Sequence, residues 1–257
     1  MAERTGRVLL AGETWVMHTI HQKGFDSFTT TEYGEGHGFL LAALEAGGLA
    51  VEHLPNHLAA RDFPTTREEL AAFDAVILSD IGANTLLLHP DTFVRSQVMP
   101  NRLALLRDWV AEGGGLVMVG GYLTFNGIEG KGRYGGSPLA EALPVTLVPG
   151  DDRVEAPEGA TPRVVADHPI VAGLAAEWPL LLGYNKLVAK PEATVVAVAA
   201  PAGGPAADPL LAAWTFGRGH AVAFASDCGP HWAPPAFCAW EGYAPLWRNI
   251  VRWAAGG

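Results

Sequence analysis

The sequence predicts an α/β protein with a doubly wound, mostly parallel sheet, and three observations carry the prediction. Apolar runs too brief for helices recur at residues 7–11, 50–54, 75–79 and 116–119, the signature of strands buried on both faces. Stretches with helical periodicity separate them, as βαβ units require. The run 116–119 is delivered by Gly113, Gly114 and Gly115 and broken by Gly120 and Gly121, with Tyr122, Thr124 and Asn126 directly behind. In open α/β sheets the carboxyl ends of such strands build the site, and glycine lets backbone approach a ligand closely.

Taken in order, the strand at 7–11 ends at Gly12, which puts Glu13 and Thr14 at its carboxyl end. Residues 15–35 read as a long loop rich in polar groups, among them His18, His21, Lys23, Asp26 and Glu32; loops of that length tend to be functional. A helix through Leu40, Leu41 and Leu44 stops at Gly47 and Gly48, where glycine suits a helix end. The strand at 50–54 is closed by Pro55, and Thr65 with Glu68 fits a capping box for a short helix. The strand at 75–79 leads to a loop, 80–84, expected beside the Gly120 turn. A helix with Leu103, Leu106 and Val110 on one face precedes the triple glycine.

From about residue 128 the character changes. Residues 127–136 are glycine-rich, Ser137 and Pro138 open a short helix, and strands at 194–200 and 210–216 flank a turn at 201–205. A further strand runs from His220, and a closing helix carries Leu246, Ile250 and Ala254 on one stripe. We expect one domain over 1–257: a parallel α/β half to residue 127, then a β-rich extension of the sheet and the closing helix.

Formal net charge is -10, and the 17 Lys and Arg residues are scattered, which leaves no basic footprint for nucleic acid. A small-molecule ligand is the expected partner. No apolar run reaches membrane-spanning length and no secretory segment is visible, so a cytoplasmic protein without a membrane partner is expected. Two cysteines, Cys228 and Cys238, provide neither a disulfide framework nor a zinc ribbon. Trp232, Trp240 and Trp247 form an aromatic region that could line a pocket or bury a homo-oligomer contact. No cofactor is indicated.

Three long motifs, residues 12–15 with 21–28, 120–127 and 227–232, resemble a bacterial glutamine amidotransferase-like family of the class I glutamine amidotransferase-like superfamily. The resemblance implies a flavodoxin-like sheet over most of the chain. It also implies a nucleophilic cysteine on the turn after the fourth strand and a base delivered by a late strand. Gly120 stands at the nucleophile position, with Gly121 and Tyr122 behind it, and Ser226, Asp227 and Cys228 stand where a His-Pro-Glu run belongs. A thiolate attack on glutamine has no nucleophile there.

Two functional readings follow. In the first, a polar pocket at the strand ends binds a small polar or anionic molecule through Glu13, Asp80, Gly82, Asn84, Gly120, Gly121, Tyr122 and Trp232. Asp80, Gly82 and Asn84 stand where amidotransferases present oxyanion donors, and Lys23 and Arg133 could meet an anion. In the second, the chain is a hydrolase or amidase with Cys228 as nucleophile, His231 as base and Asp227 as orienter. The hydrolase could alternatively use a metal held by His18, His21 and His37, although no regular ligand spacing appears.

Overall fold

Apolar strands and the glycines that end them set the architecture in a computed structural model, which describes residues 6–202 and 207–256. Residues 203–205 of the expected 201–205 turn lie outside the described residues. The first strand, β1 (Arg7–Gly12), is followed by β2 (Thr14–Lys23), β3 (Asp26–Glu35), helix α1 (Gly38–Ala46) and β4 (Ala50–Leu54). Then come α2 (Asn56–Asp62), α3 (Arg67–Leu70), β5 (Ala75–Ser79), α4 (Ala83–Leu87), α5 (Pro90–Arg95), α6 (Arg102–Ala111) and β6 (Gly115–Val119). The remainder comprises β7 (Val145–Leu147), β8 (Arg153–Val164), β9 (Leu181–Asn185), β10 (Leu187–Ala189), β11 (Thr194–Pro201), β12 (Asp208–Phe216), β13 (Gly219–Phe224), α7 (Pro235–Cys238) and α8 (Tyr243–Ala254).

Nine strands form one mixed sheet in the order β4-β1-β5-β6-β13-β12-β11-β8-β9. The first five run parallel, and β12, β11, β8 and β9 continue antiparallel from β13. β5 and β6 are buried along their whole length, which is why their sequences show no polar alternation. α8 covers β6 and β13 with Leu246, Ile250 and Ala254 buried, and α1 packs beside it. On α6, Leu103, Leu106 and Val110 are buried as the periodicity predicts.

Three expectations change. Residues 15–35 are no loop: β2 and β3 form a ribbon paired from Thr14↔Glu35 to Lys23↔Asp26, turned by Gly24 and Phe25. Gly24 takes φ 64°, which a two-residue hairpin turn needs. Nearly every ribbon residue is exposed on both faces, so no buried, core-facing alternation marked it as strand. The capping box lies one residue later than expected, with Thr66 accepting from the Glu69 amide. Ser137 caps nothing through its side chain, and residues 138–141 form a single 3-10 turn.

Candidate functional site

Four strand ends converge on one cavity of about 450 Å³. β1 supplies Glu13, β5 supplies Asp80, β6 supplies Tyr122 and β13 supplies Asp227 and His231, while Trp15 and Met17 enter from the ribbon root. No Lys or Arg lines it among the described residues. Glu13 and Asp80 both hold left-handed backbone, at φ 56° and 42°, a conformation that non-glycine residues keep only where the surroundings over-determine it. Those surroundings are visible. The Glu13 amide donates to the Ser79 carbonyl (3.0 Å), and the Asn56 side-chain amide donates to the Asp80 carbonyl (2.9 Å). Asp80 accepts from the Leu123 amide (2.8 Å), which ties the β5 loop to the β6 turn as expected.

The β6 turn is clamped from the antiparallel half. Asn185 accepts from the Gly121 amide (3.0 Å) and donates to the Gly121 carbonyl and to Asp152. Asp152 in turn accepts from the amides of Asn126 and Gly127. Gly120 is enclosed: a Cβ there would lie 2.3 Å from the Ala225 carbonyl oxygen and 2.7 Å from Asn185 Oδ1. The position that carries the cysteine in the resembled amidotransferases has no room for any side chain.

Charge in the cavity is uneven. Glu13 is 3 % exposed; burial first, then the negative charges of Asp227 and Asp80, push its carboxyl well above the ordinary range, although the Ser79 hydroxyl donates to it. Asp80 is raised by burial and by Asp227, against the Leu123 hydrogen bond. His231 Nδ1 lies 3.3 Å from Asp227 Oδ2, and this partner raises the imidazole. The ring is held edge-on to Tyr122 (4.5 Å) and against Trp232 (5.3 Å), and among the described residues Nε2 makes no hydrogen bond. Tyr122 is fixed by its hydroxyl on Glu155 (3.0 Å) and by the Arg153 guanidinium over its ring. Such a site can bind a hydrogen-bond donor or cation and can exchange a proton with it.

Of the residues singled out in the sequence, Glu13, Asp80, Tyr122, Asp227 and His231 share this cavity. Gly120 and Gly121 form its supporting turn. Trp232 is buried behind it and donates to Glu155 (3.0 Å). Gly82 is the N-cap of α4, the next amide, Ala83, donates to Gly132, and Asn84 is exposed on α4 away from the cavity. Cys228 is fully buried, its thiol raised by burial, Glu13 and Asp227. Its sulfur lies 3.7 Å from Ser79 Oγ, and no hydrogen bond joins it to His231 among the described residues. Lys23 covers Phe28 at the ribbon tip, and Arg133 is exposed; neither lines the cavity.

The N-terminal histidines do not converge. His18 and His21 lie on opposite ribbon faces and hydrogen-bond to Thr31 and Thr30, while His37 stacks on His53 at 3.8 Å. Among the described residues, the potential ligand atoms that do lie within 4.8 Å of one another belong to Glu13, Asp227 and Cys228. Trp15, Met17, Ser79 and Asn185 escaped the sequence reading. Trp15 alone left a signal, at the end of the first motif.

The family described as "Putative glutamine amidotransferase" matches residues 7–255. Cytoplasmic protein STM3548 from Salmonella typhimurium is 43% identical, with TM-score 0.91 over 96% of this chain and 98% of that one. Cytoplasmic protein STM1381 from Salmonella typhimurium LT2 is 46% identical, with TM-score 0.91 over 96% of this chain and 99% of that one. A thua-like protein from Parabacteroides merdae, 13% identical, shares the fold with TM-score 0.59 over 98% of this chain and 90% of that one. No curated protein matches the chain.

Proposed function

The chain belongs to the glutamine amidotransferase-like family that matches residues 7–255, and from that premise we propose that it is a member without the glutaminase centre that binds a small amine-bearing molecule at the strand ends. One observation carries the reading: Glu13, Asp80 and Asp227 converge on a cavity that no Lys or Arg among the described residues lines. An anion would meet three acidic groups and neither Lys nor Arg there, so the anionic ligand drops behind the polar, cationic one. Trp15 adds an aromatic wall of the kind that attracts ammonium groups. The order of the parallel strands supports a flavodoxin-like core, and a single folded unit agrees with the sheet that crosses both halves. We place the chain in the cytoplasm, as the names of both Salmonella proteins say of them.

Calorimetric titration with a panel of primary diamines, amino alcohols and amino-acid amides, against matched carboxylates, tests this. Amines bind, carboxylates do not, and Asp227→Asn weakens amine binding at least about tenfold, the loss expected for a charge-assisted hydrogen bond. Equal or tighter binding of the carboxylates sinks the proposal. A second reading, hydrolysis by a water that His231 activates, is favoured by the Asp227–His231 pair. In it His231 Nε2 takes a proton from water, and protonated Glu13 is placed to return one to a leaving amine. A thiolate route through Cys228 is disfavoured by its burial among acids. Turnover of any bound amide that survives Cys228→Ala and is lost in His231→Gln marks the water route.

A further inference from the structure

The β2–β3 ribbon leaves its own chain soon after its root. Paired residues share a face, so Trp15, Met17, His21 and Phe28 lie on one side and Val16, Ile20 and Tyr33 on the other. At the root, Trp15 and Met17 line the strand-end cavity, and Tyr33 meets His57 of α2. Farther out, Ile20 is 72% exposed, Phe28 50% and Phe25, at the tip, fully exposed. A lone two-stranded ribbon is marginal in water, and both of its edges offer unpaired backbone groups.

The same chain carries a surface that fits it. An apolar groove of about 870 Å³ runs beside the ribbon root, between α1 and the start of α8, with Gly38, Phe39, Ala42, Ala46, Pro230 and Ala244 in its walls. Gly38, Ala42, Ala46 and Ala244 leave room between its aromatic walls for the large side chains of a ribbon. The ribbon's own root borders this groove through Trp15 and Glu35, and none of residues 16–34 lines it, so the ribbon that can fill it comes from another copy. Charge favours that copy. The chain carries -10 overall, but residues 18–31 hold only Lys23 and Asp26 as full charges, so the ribbon approaches an acidic molecule without like-charge repulsion. The ribbon is about 33 Å long and about 10 Å wide, so two reciprocal contacts remove about 1,300 Å² from water, within the range of specific pairs.

We propose that each ribbon seats in the α1–α8 groove of a second copy, giving a closed twofold pair. Trp15, Gly36 and Pro230 line both the groove and the strand-end cavity, so the incoming ribbon roofs its partner's site and the site is complete only in the pair.

Light scattering of the full chain at micromolar concentration tests the pairing with wild type, the ribbon variants Ile20→Asp and Phe28→Asp, and the groove variant Ala42→Arg. Wild type shows twice the monomer mass. Ala42→Arg shifts to monomer with its dissociation constant raised at least a hundredfold, and so does whichever of Ile20→Asp and Phe28→Asp lies on the seated ribbon face, since the two occupy opposite faces. Near-ultraviolet circular dichroism checks that the tryptophan core is intact, since all three side chains are exposed in the single chain. Wild type that stays monomeric overturns the proposal, as does a pair whose mass is unmoved by the ribbon or by the groove variants. Should a variant fail to fold, hydrogen exchange on wild type decides. Protection of residues 14–35 and of α1 that falls on dilution supports the pair, and protection independent of concentration overturns it.

Discussion

Glu13 concentrates the chemistry of the site in one side chain: left-handed backbone, burial, and two acids close enough to raise its pKa. A carboxyl raised in the folded state keeps its proton where the unfolded chain has lost it. Its contribution to stability is therefore complete below the unfolded value and lost as pH rises through the folded one. Glu13→Gln keeps a polar group for Ser79 and removes the titration. The melting temperature of Glu13→Gln relative to wild type should climb steadily from pH 4.5 to pH 8, and a difference that is flat or falls over thermal melts in that window would refute the assignment. The same sign governs ligand binding. Because burial also raises Asp80, protons compete with an amine for the site, so amine affinity should strengthen from pH 5 to pH 8 in calorimetric titrations and level off once both acids are ionised.

At the scale of elements, the end of β6 leaves no room for a nucleophilic cysteine at Gly120, on which the proposed lack of a glutaminase centre rests. The backbone carbonyl of Ala225 occupies the space a side chain at Gly120 would need, and backbone yields far less readily than a flexible side chain. Gly120→Cys should therefore lower stability by about 3 kcal/mol, at the upper end for overpacking, and should release no ammonia from glutamine; a stable Gly120→Cys variant with glutaminase activity would show that the turn opens. The parallel strands were legible because short apolar runs such as 75–79 and 116–119, buried along their whole length, are too brief for buried helices. The ribbon was not legible: Thr29, Thr30 and Thr31 put polar β-branched residues on both faces, and a strand without a buried face gives no periodic signal. α2 and α4, at seven and five residues, are too short for helical periodicity to register. Asp227 was read as the orienter of His231 from the 227–232 motif, and the two do pair, whereas the lack of a Cys228–His231 hydrogen bond among the described residues depends on how the chain turns after β13, which no local pattern encodes.

Across the whole molecule, the two halves share one sheet and one site. β13, far along the chain, lies between β6 and β12, and Asn185 with Asp152 fixes the glycine turn of the parallel half. A fragment ending at residue 143 keeps β1, β4, β5 and β6 but loses that clamp and the strand that covers the β6 edge. It should melt without a cooperative transition by circular dichroism, and a sharp transition would show that the parallel half is a domain in its own right. The position of β13 also matters while the chain is being made. At 5–20 residues per second, about a hundred residues separate the emergence of β6 from that of its neighbour, so a ribosome carries the nascent chain for roughly 5–20 s with an apolar strand edge unpaired. Recruitment of a chaperone to that edge during synthesis, or a pause in translation before residue 219, would decide the yield of this protein in a cell more than the stability of the finished fold.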